Sequence, residues 1–215
     1  MGRRCVVAFL TVIAAVSGGF LNASSAQASA PRCASVVGYQ VNLGSDLTDP
    51  ATRATVLQVV HAAVATLGAA TGQVYRDDGV TSFVPTQLNL VSAPDDLVIA
   101  FINPRTTDFF GVPDFPGERL LGWTRWLGST TNITAASIVI DSQSHWNLPS
   151  GLGDKGGPSM LALLEHELGH SVGLPHSSDP TTTMYPVQSK LTPASFSHAD
   201  AALLRASACR GTTRS

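Results

Sequence analysis

The stretch His166-Glu167-Leu168-Gly169-His170-Ser171-Val172-Gly173-Leu174-Pro175-His176 decides how the rest of the chain is read. A helix turns about 100° per residue, so histidines at i and i+4 project one above the other and can grip a single ion. Glu167 stands beside them, within reach of a water on that ion. Gly173 lets the chain leave the helix through a turn with φ > 0, which brings His176 back toward the same place. A downstream glutamate is the other way to complete such a site, but none follows Glu167. His176 is therefore the expected third ligand. Three neutral imidazoles with a fourth position left to water are the donor set of a catalytic zinc, whereas a structural zinc usually closes with four ligands, often cysteines. Such an ion lowers the pKa of its water to roughly 7, and Glu167 is placed to accept the proton as general base. Metal-assisted hydrolysis is the reaction class that follows. A chance His-Glu-x-x-His on an ordinary amphipathic helix is the competing reading. It is expected roughly once in a hundred chains of this length, and the added Gly and His make it rarer still.

These eleven residues resemble the long zinc signature of the metzincin metallopeptidases, and Met184-Tyr185-Pro186 resembles their Met-turn. A lone methionine is usually core filler; one just downstream of a complete signature reads as the Met-turn. Leu168-Gly169-His170-Ser171, Gly173-Leu174, His176-Ser177 and Met184-Tyr185-Pro186 together most resemble the matrixins, the family of the extracellular matrix metalloproteinases and their smaller bacterial relatives. Astacins and serralysins carry a tyrosine two residues after the methionine, where Pro186 stands here. The resemblance implies an α+β zincin fold: a twisted mixed sheet, two long helices and a small C-terminal part ending in a helix. It also implies a secreted endopeptidase with one catalytic Zn2+, acting on peptides or proteins. Two positions depart from the pattern, Glu165 where animal matrixins usually have alanine and Gln188 where they often have tyrosine. Neither is a zinc ligand.

At the other end of the chain, Arg3 and Arg4 precede an apolar run from Cys5 to Val16, with Ala26-Gln27-Ala28 and Ala28-Ser29-Ala30 downstream. This is the layout of a secretory signal peptide over residues 1–30, cleaved after Ala28 or Ala30. The run is short for a span of about 20 residues and Ser17-Gly18-Gly19 breaks it, which argues against a membrane anchor. The paired arginines suggest a twin-arginine route, although the rest of that motif is missing. Residues 31–215 then form one expected domain, extracellular and monomeric. Loss of Arg3 and Arg4 takes Lys+Arg from 13 to 11 against 15 Asp+Glu, a net charge of −4. With no basic run, neither nucleic acid nor an anionic membrane is an expected partner.

Cys33 and Cys209 remain after the leader is removed, and two cysteines in an exported protein most simply form one disulfide. Pro31-Arg32-Cys33 also matches the first three residues of the matrixin cysteine switch, in which a propeptide thiolate fills the fourth position on zinc. The match ends at Ala34.

Between these landmarks, Tyr39 to Leu43 alternates as a half-buried strand does. Asp49-Pro50 supplies an N-cap and a first-turn proline, and Val56, Val59, Val60, Ala63, Val64 and Leu67 recur at helical spacing before Gly68. A short strand is expected around Ser82 to Val84. The apolar run Leu97 to Ile102 reads as a strand covered on both faces, and Asn103 to Gly117 as a loop. Leu120 to Trp126 and Ala136 to Asp141 read as two further strands joined by a turn. By resemblance to matrixins, the first of these is the sheet edge along which a peptide lies, lined by Gly122, Trp123 and Thr124. Packing is the alternative role for Trp123 and Trp126.

Pro158 is expected to open the helix that carries the signature, with Leu161, Leu164, Leu168 and Val172 as its core stripe. By the same resemblance, Tyr185 and Pro186 belong to a wall of the substrate pocket. Ser197 to Asp200 reads as a capping box starting a last helix to about Ala208. His61, His145 and His198 read as surface or satisfied histidines. A calcium loop cannot be read, because no Asp-x-[Asp/Asn]-x-[Asp/Asn]-Gly run is present. The histidine-rich structural-zinc loop of animal matrixins is missing too. A function of a different class remains open, that of a catalytically silent exported zinc-binding protein acting by partner binding. The intact Glu167 argues against it, since a carboxylate beside a bound water has no evident use in mere binding.

Overall fold

The computed structural model describes residues 36–91, 96–109, 120–129, 132–148, 157–189 and 191–207. The expected leader, Cys33 and Cys209 lie outside these residues. Strands β1 (Val36–Asn42), β2 (Val74–Val80), β3 (Leu97–Ile102), β4 (Gly122–Ser129) and β5 (Asn132–Asp141) form one sheet in the order β2-β1-β3-β5-β4. All neighbours are parallel except β4, which runs antiparallel to β5 at one edge. Helix α1 (Pro50–Thr71) connects β1 to β2, α2 (Met160–Ser171) carries the signature, and α3 (His198–Ser207) follows the last loop. The α+β class expected from the sequence is the one observed.

Strand β3 shows why the sheet is covered twice. Leu97, Ile99 and Phe101 enter the main core with Ile138 and Ile140 of β5, the α1 valines, and Leu163, Leu164 and Leu168 of α2. The alternate residues Val98, Ala100 and Ile102 enter a second cluster with Val139, Leu90 and Phe109. A strand with no polar face has to be buried on both sides, and all six residues are. Helix α1 is long and apolar enough to cross a membrane. Its Val56, Val60, Ala63 and Leu67 are nonetheless buried in the main core, so here it serves as a core helix.

Several boundaries differ from the sequence reading, each for a physical reason. Helix α1 continues past Gly68 and stops where Gly72 takes the left-handed conformation, φ 75°. The strand after it is Val74–Val80, and Ser82 to Val84 is not one. Asp77-Asp78-Gly79 has the composition of a turn, but parallel pairing with β1 overrides that preference on a mostly exposed outer strand. Strand β4 begins at Gly122, two residues later than expected, and reaches Ser129. From Asn103 to Phe109 the chain is a loop with a 3₁₀ turn at Pro104–Thr106; the rest of the expected loop, to Gly117, is outside the described residues.

Helix α2 starts after Ser159, whose hydroxyl accepts from the Ala162 N–H, so Pro158 precedes the cap. A single apolar stripe does not describe this helix. Ten of its twelve residues are buried, Leu163 among them, while Leu161 and Val172 are only partly covered. It runs through the middle of the molecule, where nearly every side faces protein.

Helix α3 is held by the capping box expected from the sequence. The Ser197 N–H donates to the Asp200 carboxylate and the Asp200 N–H donates to the Ser197 hydroxyl, each at 3.1 Å. Leu204 is thereby carried into the core. Ser197→Ala removes one acceptor and should lower unfolding stability by about 1 kcal/mol. Denaturant melts of the variant and parent would show this as a shifted midpoint with an unchanged slope.

Candidate metal centre

One turn of α2 separates His166 from His170, and each ring is oriented by a backbone carbonyl. His166 Nδ1–H donates to Thr183 O at 2.8 Å, and His170 Nδ1–H donates to Leu174 O at 2.7 Å. With both protons committed there, the two Nε2 atoms carry lone pairs, and they stand 3.1 Å apart. Two lone pairs at that separation repel unless a cation lies between them. Burial pushes His166 down to about 3 and His170 down to about 4, so both rings are neutral at neutral pH.

The third ring arrives through the turn at the helix end. The Gly173 N–H donates to His170 O and the Leu174 N–H to Gly169 O, and Gly173 has φ 91°, where a side chain would be strained. Leu174 is buried, which fixes the exit direction. The His176 ring centroid then lies 5.3 Å from that of His166 and 4.7 Å from that of His170. The ligand atoms of all three histidines fall within 4.8 Å of one another. A tetrahedral ion with Zn–N bonds of about 2.0–2.1 Å separates its nitrogens by roughly 3.3 Å. The donor set fits zinc in number and spacing, and for His166 and His170 in tautomer as well.

Around the histidines, Glu167 is 4% exposed, and burial pushes its carboxyl up to about 7 against the opposing pull of the Thr124 hydroxyl. Met184 is fully buried beneath α2; a Cβ on Gly169 would fall 2.6 Å from its sulfur. Gly169 thus lets the methionine pack directly under the turn that separates the two helical ligands. The Met184 carbonyl accepts from the Ser177 N–H, tying the segment just after His176 to the same floor.

Residues 55–204 match the matrixin family. The chain belongs to it. Over 46 residues it is also 50% identical to matrilysin of Felis catus, a stretch covering 21% of this chain and 16% of that relative. Matrixins are zinc-dependent endopeptidases, so the family and the donor set point to the same ion.

Within this matrixin, the three residues expected to line the sheet edge divide by strand alternation. Gly122 and Thr124 face α2 and Glu167, while Trp123 packs against the second core cluster on the opposite face. Trp126 packs against the main core. Tyr185 and Pro186 follow Met184 and are partly buried. His61 pairs with Asp77 at 2.9 Å, and His145 and His198 are exposed. Among the described residues, His166, His170 and His176 form the group able to hold a metal.

Of the two departures from the family pattern, Gln188 is partly buried beside His166, and Glu165 is buried on the helix that carries the ligands. Gln188 Nε2 donates to Tyr185 O at 2.8 Å and Thr183 O at 3.2 Å, and lies 3.1 Å from His166 Nδ1. It therefore shares with His166 the carbonyl that sets the ring's tautomer, a relation hidden by a sequence separation of 22. Glu165 is 1% exposed, and burial pushes its carboxyl up to about 7 against the opposing pull of the Thr66 hydroxyl of α1. The Thr124–Glu167 bond was likewise invisible in the sequence, although alternation alone places Gly122 and Thr124 on one face.

Removing a ligand should matter more than removing an outer partner, whose loss commonly weakens metal binding about 10- to 100-fold. His176→Ala is expected to weaken zinc binding by more than about 100-fold, measured by competition with a chromogenic chelator. Parent-like affinity in that variant would remove His176 from the donor set.

Proposed function

We propose that this matrixin is an exported zinc endopeptidase in which Glu167 is the general base. The observation that carries the reading is the convergence of three histidines, His166 and His170 neutral through burial, beside the buried Glu167 carboxylate. Zinc held by His166, His170 and His176 would supply Lewis acidity to water and to the scissile carbonyl. Glu167 accepts the proton of the attacking water and delivers it to the departing amine. Strand β4 offers its backbone to an extended peptide, a mode that needs no particular sequence. The segment from Tyr185 to Gln188 forms a wall of the pocket for the side chain just after the cut. Glu167→Gln should keep fold and zinc while turnover falls by about 10² to 10⁴-fold or more. Chelation should abolish cleavage of a random peptide library, and added zinc should restore it. A glutamine variant that cuts at the parent rate overturns this mechanism. A folded, zinc-loaded parent that cuts nothing favours the silent, partner-binding alternative.

The same proposal extends to the ends of the chain. Residues 1–30 act as a cleaved leader, the mature protein is monomeric and extracellular, and Cys33 and Cys209 are bridged. A bridge closing so long a loop commonly stabilises by about 2–5 kcal/mol. Thiol titration of the denatured, unreduced mature protein should find no free cysteine. Two free thiols, with activity that rises when they are alkylated, would support the cysteine switch instead.

A further inference from the structure

Glu167 has three side-chain torsions and must present one oxygen to a reacting water, so something has to hold it. The groups in place to do so come from β4, a strand remote in sequence. Thr124 Oγ1 lies 2.6 Å from Glu167 Oε2 and 3.0 Å from the Glu167 backbone oxygen. Two residues back, on the same face, Gly122 has no side chain, and a Cβ there would fall 2.7 Å from Oε1 and 3.0 Å from Cγ of Glu167. One residue holds one carboxylate oxygen, and the other leaves room for its twin.

We infer that Thr124 is the positioning residue of the catalytic base, fixing Oε2 through its hydroxyl so that Oε1, beside Gly122, is the oxygen that takes the proton from water. The inference rests on the endopeptidase reading above. A hydroxyl has a single proton and here two acceptors within reach. The ionised carboxylate takes it, because hydrogen bonds to a charged acceptor are the stronger kind. When Glu167 is protonated on Oε1, Oε2 still accepts from Thr124, so the side chain need not reorient between taking the proton and giving it up. Gly122 contributes by exclusion, since a methyl group there would drive the carboxylate off this position.

The two roles open to Thr124, positioning Glu167 and merely tying β4 to α2, separate experimentally. Thr124→Val keeps the shape and loses the hydroxyl; Thr124→Ser keeps the hydroxyl. With zinc-loaded mature protein and a peptide cut by the parent, Thr124→Val should lose about 10- to 100-fold in kcat with KM within about twofold, the scale expected when a reacting group is misplaced. Thr124→Ser should recover most of that loss. Zinc affinity should match the parent in both. Crystal structures of the metal-free proteins give a readout independent of activity: one Glu167 rotamer in parent and Thr124→Ser, and a displaced or divided carboxylate in Thr124→Val. Parent-like kcat in Thr124→Val overturns the inference. So does a loss that Thr124→Ser fails to recover, or an unmoved carboxylate. A parent that cuts nothing defeats the endopeptidase reading instead, and the carboxylate position then decides the positioning role alone.

Discussion

His166 and His170 hold their Nε2 atoms 3.1 Å apart because both Nδ1–H groups are committed to backbone carbonyls. Protonating either Nε2 would relieve the lone-pair repulsion, but burial disfavours the charged ring. A cation is the remaining remedy, and much of the surrounding structure serves to keep that arrangement in place. Leu174 O is positioned by the Gly173 turn, and Thr183 O by a loop that the Thr183 hydroxyl anchors to Pro193 O and Ser195 O. The carbonyls that fix the tautomers therefore belong to segments that must be folded before the metal site exists. Metal binding and the packing of the C-terminal part are in this sense one equilibrium.

A helix that carries two histidines and two glutamates through the interior is costly unless each polar group finds a partner. The histidines have carbonyls and Glu167 has Thr124, while for Glu165 the Thr66 hydroxyl opposes part of the effect of burial. Among the described residues, Glu165 Oε2 and Gln188 Oε1 are buried with no hydrogen-bond partner. The apolar side of the same helix offsets part of this cost. Leu163, Leu164 and Leu168 enter the main core, and Met184 fills the space under Gly169. Met184 thus has a packing role that requires glycine at position 169 and is independent of any bond to the metal.

What the sequence disclosed follows from how local each feature is. The i, i+4 histidines, the Gly173 turn and the Ser197–Asp200 box are properties of a few consecutive residues, and all are present as read. The uninterrupted apolar run of β3 likewise announced a strand with two covered faces. Strand β2 was concealed because Asp77-Asp78-Gly79 looks like a turn and becomes strand only through pairing with β1. Gln188 gave no sign of reaching His166, since that approach depends on the fold of the intervening loop. Thr124 was legible only in part. Its place on a strand could be read, and alternation separates it from Trp123, but nothing local says that α2 lies against that face.

That juxtaposition has a consequence for how recognition and chemistry are joined. A peptide adding to the edge of β4 would take its register from the backbone of that strand. The side chains of the same strand shape the surroundings of Glu167, with Thr124 bonded to one oxygen and Gly122 against the other. Substrate and base would then be referred to one rigid element, rather than to two parts that can shift independently. Antiparallel pairing of Gly122 through Ser129 with β5, itself paired to the buried β3, anchors that element to the sheet interior. Because misplacements of about 1 Å can cost on the order of 10²-fold in rate, a shared strand is a direct way to keep the scissile bond and the proton acceptor in step.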